Sequence, residues 1–210
     1  LYLFSQKLST ALQRVQSGCV EKFVLQAANQ SAEAIDELVV PSISAGAVAI
    51  KNVVIGGIEG CTFINVSSQK NGGAVLIDAV GAGGFNGTVS IINSSFVDCR
   101  SGFGGAIIQY GGGLEVLSCN FTNNYAIFDG GAVYATQSKV YILNSTFTEN
   151  YVEYEDARGS FGGAVYCDSS VLYFTNNNLT KNSAQYGGAI SGFDLGYYID
   201  GNIFKDNTNF

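Results

Sequence analysis

The chain has 210 residues, 47% of them hydrophobic, with 27 Gly, a single Pro, no His and a formal net charge of −7. That balance suits one elongated domain with a continuous apolar core and many turns, and it repels both nucleic-acid phosphates and anionic membrane surfaces. Without His, the Ser-His-Asp and Cys-His catalytic arrangements and His-ligated metal sites are excluded.

Residues 1–44 follow no repeat. Leu1, Phe4, Leu8, Leu12 and Val15 fall at spacings of three and four, the apolar face of a short helix that Ser17 and Gly18 end. An uncovered solenoid end exposes backbone and core, so this helix is read as a cap or a linker, with a partner-binding helix as the alternative. Residues 21–44 are read as one or two degenerate coils. The most apolar stretch, Ala45 to Ile58, is broken by Lys51, Asn52 and Gly56–Gly57 and is too short to span a bilayer. No basic leader opens the chain and no closing Gly-Gly-Ala follows Phe204, so both ends are expected to continue into a longer stack.

From residue 45 to 210 the sequence repeats. Gly-Gly-Ala followed by Val or Ile begins at Gly72, Gly104, Gly130, Gly162 and Gly187, and apolar anchors stand at Phe63, Phe96, Phe121, Phe147, Leu179 and Phe204. Four of the five intervals from triplet to next anchor are 17 residues, and one unit is 25 or 26 residues once two insertions, near 77–87 and 151–160, are removed. Such a period marks stacked units that cannot bury their apolar faces alone. Five residues before the anchor stand Ile58, Ile91, Val116, Ile142, Phe174 and Ile199. Seven before it, in the last five units, stand Val89, Leu114, Val140, Leu172 and Tyr197. Strand parity turns both columns inward. Three short strands per coil then describe an all-β, right-handed, single-stranded parallel β-helix. Three residues after the anchor, Asn124, Asn150, Asn182 and Asn207 line one corner and predict an asparagine ladder with coils about 4.8 Å apart.

Phe121–Asn124, Phe147–Asn150 and Phe204–Asn207 are Phe-x-x-Asn, and Gly104–Ile107 and Gly187–Ile190 are Gly-Gly-Ala-Ile. Their alternation over residues 61–210 resembles the repeats of the chlamydial polymorphic outer membrane proteins and of similar surface proteins in other bacteria and protists. The resemblance implies a β-helical, surface-displayed or secreted, adhesin-like segment. Phe63 and Phe96 lack the closing Asn, and no membrane-barrel segment of alternating strands follows.

The cysteines, Cys19, Cys61, Cys99, Cys119 and Cys167, are odd in number and show no metal-type spacing. Cys61 and Cys119 share a column two before the anchor but lie two coils, about 10 Å, apart, too far to bond. They read as small buried hydrophobes, with a Cys19–Cys61 bridge left open. Seven N-glycosylation sequons begin at Asn29, Asn65, Asn86, Asn93, Asn120, Asn144 and Asn178. Asn93 and Asn144 stand three before their anchors and Asn120 and Asn178 one before, all of outward parity.

The densest charged cluster, Glu153, Glu155, Asp156 and Arg158, lies within the second insertion and reads as an acidic loop or partner contact, with a catalytic or calcium site as the alternative. A tyrosine column, Tyr141, Tyr173 and Tyr198, joined by Tyr134 and Tyr166, faces outward as a surface for glycans or another subunit. No cofactor is expected. The chain is accordingly read as a non-catalytic extracellular or cell-surface module, with copies of itself, other extracellular proteins or glycans as partners. The alternative is a polysaccharide lyase or hydrolase.

Overall fold

The computed structural model describes residues 46–51, 55–79, 87–153 and 159–210. In the coil that starts at Gly104, strands Ile107–Tyr110, Gly113–Leu117, Asn120–Thr122 and Tyr125–Asp129 follow in turn. Each pairs in parallel with its equivalent one coil on. The described strands thus form four parallel sheets which, in their order round the coil, have six, six, six and five strands. We number them by their order in the coil, so that Ile107–Tyr110 lies in the first and Tyr125–Asp129 in the fourth. The expected parallel β-helix is therefore present, but with four strands per coil rather than three. The fourth strand escapes the sequence because it shrinks to two residues at Tyr151–Val152, Ser183–Ala184 and Thr208–Asn209, too short for any alternation to register.

Left-handed residues make the corners. Two after each anchor, Asn65, Asp98, Asn123, Glu149, Lys181 and Asp206 all have φ between 53° and 56°. Three before it, Asn93, Ser118, Asn144 and Asn176 have φ between 48° and 55°. One such residue swings the chain from one sheet to the next, and Asn and Asp tolerate it best. Glu149 and Lys181 are less suited, and their ion pair of 3.3 Å between well-exposed side chains offsets little of the strain.

The Gly-Gly-Ala triplet is dictated at the turn into the first sheet. Gly104 has φ +58°, and a Cβ on Gly105 would sit 2.1 Å from the carbonyl oxygen of Gly131 in the next coil. Only glycine permits this backbone approach.

Inside, the anchor rings of Phe63, Phe96, Phe121 and Phe147 stack with centroids 4.6–4.9 Å apart and planes within 5°. The stack tilts where Leu179 takes the anchor position. There Phe174, in the inward column five residues before the anchor, replaces the usual Ile or Val and packs on Phe147 at 6.0 Å. The large residue and the small one have exchanged columns and kept the core filled. Inward residues are fully buried through most of the stack, whereas in the last coil Ile199 and Phe204 are 43% and 49% exposed. The expected helix at Leu1 to Val15 and the degenerate coils of 21–44 lie outside the described residues.

Candidate functional site

Three interior columns of polar side chains tie the coils together. In the first, Asn124 Nδ2 donates to Asn150 Oδ1 at 2.8 Å, Asn150 Nδ2 to Asn182 Oδ1 at 2.9 Å, and Asn182 Nδ2 to Asn207 Oδ1 at 2.9 Å. Each Oδ1 also accepts a backbone N–H from the coil before, beginning with Cys99. Each of the first three Nδ2 groups donates a second time, to the anchor carbonyl of the preceding coil. A buried corner backbone thereby finds partners that no sheet supplies.

The second column stands two before the anchor. Cys61 N donates to Ser94 Oγ, Cys119 N to Ser145 Oγ, Ser145 N to Asn177 Oδ1 and Asn177 N to Asn202 Oδ1, at 2.7–3.1 Å. Sequence reasoning saw only the Cys members of this position and missed the ladder, because its residue type changes from coil to coil. The available signal was a small polar residue after Asn93, Asn144 and Asn176, namely Ser94, Ser145 and Asn177. A third column links Ser138 N to Ser170 Oγ at 3.0 Å.

The outward tyrosines divide between two faces. Tyr141 and Tyr173 stack on the second sheet at 4.7 Å with planes 10° apart, and Tyr198 follows in register. Lys139 Nζ lies 5.3 and 5.6 Å from the first two ring centroids. A hydrogen bond with Tyr141 pushes this fully exposed amine above its ordinary pKa. Rings stacked along the axis turn their faces to one another and their edges to solvent. The row therefore suits contacts through hydroxyls and edges better than stacking on sugar rings.

Tyr134 and Tyr166 do not join that column. They sit on the outer face of the first sheet, 5.5 Å apart, where Tyr134 meets Phe103 at 5.3 Å and Tyr166 meets Phe161 at 5.9 Å. Burial, then the Asp168 carboxylate, pushes the Tyr134 hydroxyl pKa upward. The sequence reading joined them to the Tyr141 column, but the corner at Gln137, φ 52°, separates their sheet from that of Tyr141.

Of the acidic cluster, Glu153 accepts a hydrogen bond from the Tyr125 hydroxyl; Glu155, Asp156 and Arg158 lie outside the described residues. Among the described residues, no three His, Cys, Asp or Glu side chains gather as metal ligands. Cys61 is disulfide-bonded, and its candidate partner Cys19 lies outside the described residues. Cys99, Cys119 and Cys167 are free and buried, and burial pushes their thiols up to about 12, 11 and 12.

Sequons Asn65, Asn93, Asn120, Asn144 and Asn178 are all exposed, and Asn29 and Asn86 lie outside the described residues. Asn120 and Asn178 begin strands of the third sheet, while Asn65, Asn93 and Asn144 occupy its two bounding corners.

Parallel strands in register, glycine turns and interior ladders define a β-solenoid. A family model described as right handed beta helix region matches residues 25–204, and the chain belongs to that family. No curated protein and no solved structure matches the chain.

Proposed function

We propose that the chain is a non-catalytic structural or adhesion module of a secreted or cell-surface protein, with repeats of the chlamydial polymorphic outer membrane protein type. The observation that carries this reading is the set of interior columns. A Phe stack and hydrogen-bonded polar ladders fix the side chains of coil after coil, so the sequence specifies a stiff, extendable rod. Every coil offers the next the same parallel register, which suits stacking into a longer surface structure or filament. The disulfide at Cys61 supports an oxidising compartment.

The competing reading is a polysaccharide lyase or hydrolase working through the acidic insertion. Incubation with acidic and neutral polysaccharides separates the two. The module reading expects no new chain ends above a blank reaction. Cleavage that disappears in Asp156→Ala would overturn it.

A further inference from the structure

We propose that the solenoid carries N-linked glycans on one long side only, at Asn65, Asn93, Asn120, Asn144 and Asn178. The inference rests on the extracellular reading and specifies where the modification lies.

These residues fall one to a coil in five successive coils, identified by anchors Phe63, Phe96, Phe121, Phe147 and Leu179. All five lie on the third sheet or at its bounding corners, and all are exposed. No sequon of the described residues lies on the other three sheets. From the second of these coils to the fifth, the acceptor alternates between three and one residues before the anchor. Two acceptors in one column are therefore two coils, about 10 Å, apart rather than about 5 Å.

Asparagine side chains of this chain divide by chemistry as well as by place. Asn124, Asn150, Asn177 and Asn182 are buried, commit Nδ2 to interior hydrogen bonds and begin no sequon. The sequon residues keep the nitrogen available. Asn120 Oδ1 accepts from Thr146 Oγ1 at 2.7 Å, and Asn178 Oδ1 accepts from its own sequon hydroxyl, Thr180 Oγ1, at 3.2 Å. Neither Nδ2 makes a hydrogen bond among the described residues, so these amides are anchored through oxygen.

The donor required is a lipid diphosphate-linked oligosaccharide. Asn Nδ2 loses one proton and forms a bond to the sugar's anomeric carbon, whose bond to the diphosphate oxygen breaks. The lipid diphosphate leaves, the proton passes to solvent, and no oxidation occurs. The product is a rod covered on its third-sheet side and, among the described residues, bare on its first and second sheets, where the aromatic rows lie.

Glycopeptide mass mapping of the full chain from its natural source tests this, with the redox state of Cys61 read on the same sample. The expected result is sugar mass on the five third-sheet residues, with Asn144→Gln losing its own glycan and leaving the others in place. All five unmodified in protein with oxidised Cys61 overturns the glycan side and leaves the extracellular reading intact. All five unmodified with Cys61 reduced removes both. Glycans confined to Asn29 and Asn86 overturn the one-sided arrangement.

Discussion

Asn150 Oδ1 accepts two hydrogen bonds from Asn124, one from its Nδ2 at 2.8 Å and one from its backbone N–H at 3.0 Å. A single buried amide oxygen thus closes both the side chain and the corner backbone of the coil before it. Replacing Asn150 by Ala leaves these two donors and the Phe121 carbonyl without that partner in a dry interior. The expected loss is about 3 kcal/mol, a fall in Tm of roughly 6–12 °C for a chain of this size. Asn207→Ala, in the half-buried last coil, should cost about 1 kcal/mol. Thermal unfolding of both variants checks the order; equal losses would mean that the ladder does not work through burial.

The triplet predicts a sharp contrast between glycines. A methyl group on Gly105 would lie 2.1 Å from the Gly131 oxygen and 2.5 Å from the Tyr125 oxygen. On Gly57 its nearest neighbour is the Ser90 oxygen at 3.8 Å. Gly105→Ala should cost at least about 3 kcal/mol, and Gly57→Ala should stay within about 0.5 kcal/mol of the parent. Chemical denaturation of the pair measures the difference.

Gln109 carries a buried fault. Its Oε1 has no hydrogen-bond partner, although its Nε2 donates to the Gly111 carbonyl. Ser138 Oγ, which lies 2.7 Å from the Thr136 carbonyl and 3.2 Å from that of Gly111, can turn its proton to Gly111 because the Gly111 N–H also serves Thr136, so removing the amide does not orphan it. Gln109→Leu should be neutral or stabilising by up to about 1 kcal/mol. A clear drop in Tm would show that the amide has a partner after all.

The three free thiols should be silent in the folded protein. Burial raises Cys99, Cys119 and Cys167 to about 12, 11 and 12, so at pH 8 the reactive thiolate is scarce and shielded. Alkylation at pH 8 should modify none of the three until denaturant is added. The linked stability is fully present below the unfolded thiol value, about 8.5, and falls as pH rises from there toward about 11–12. Alkylation of Cys167 without unfolding would contradict its place in the core.

The sequence disclosed the parts of this fold that keep one residue type at one spacing. Phe63 to Phe147 and Asn124 to Asn207 are such columns, and the rings and amides stack as that spacing requires. The Ser94, Ser145, Asn177 and Asn202 ladder stayed hidden because only geometry unites Ser with Asn: both place an oxygen one coil down. Glu149 and Lys181 at left-handed corners were equally silent, since the corner is imposed by sheets on either side rather than by their own preferences. The fourth strand and the separation of Tyr134 from Tyr141 follow from those unseen corners. On the surface, parity turned Asn93, Asn120, Asn144 and Asn178 outward, but placing Asn65 beside them and gathering all five on one side required the path of the coil.

The inward assignment of the column five residues before each anchor has its own test. Ile142 is fully buried between Val116 and Phe174 in register, so Ile142→Asp would place an unpaired carboxylate among apolar neighbours. The variant should fail to fold or lose more than about 4 kcal/mol. A soluble variant with unchanged Tm would refute the column.

The central claim is that this rod is displayed outside the cell. Intact source cells treated with a membrane-impermeant amine-reactive label address it most directly, since Lys51, Lys70, Lys139 and Lys181 all lie on the exposed surface. Labelling of these lysines in intact cells or in the secreted fraction, as strong as after lysis and with Cys61 oxidised, is the predicted result. Labelling only after lysis, with Cys61 reduced, would contradict it.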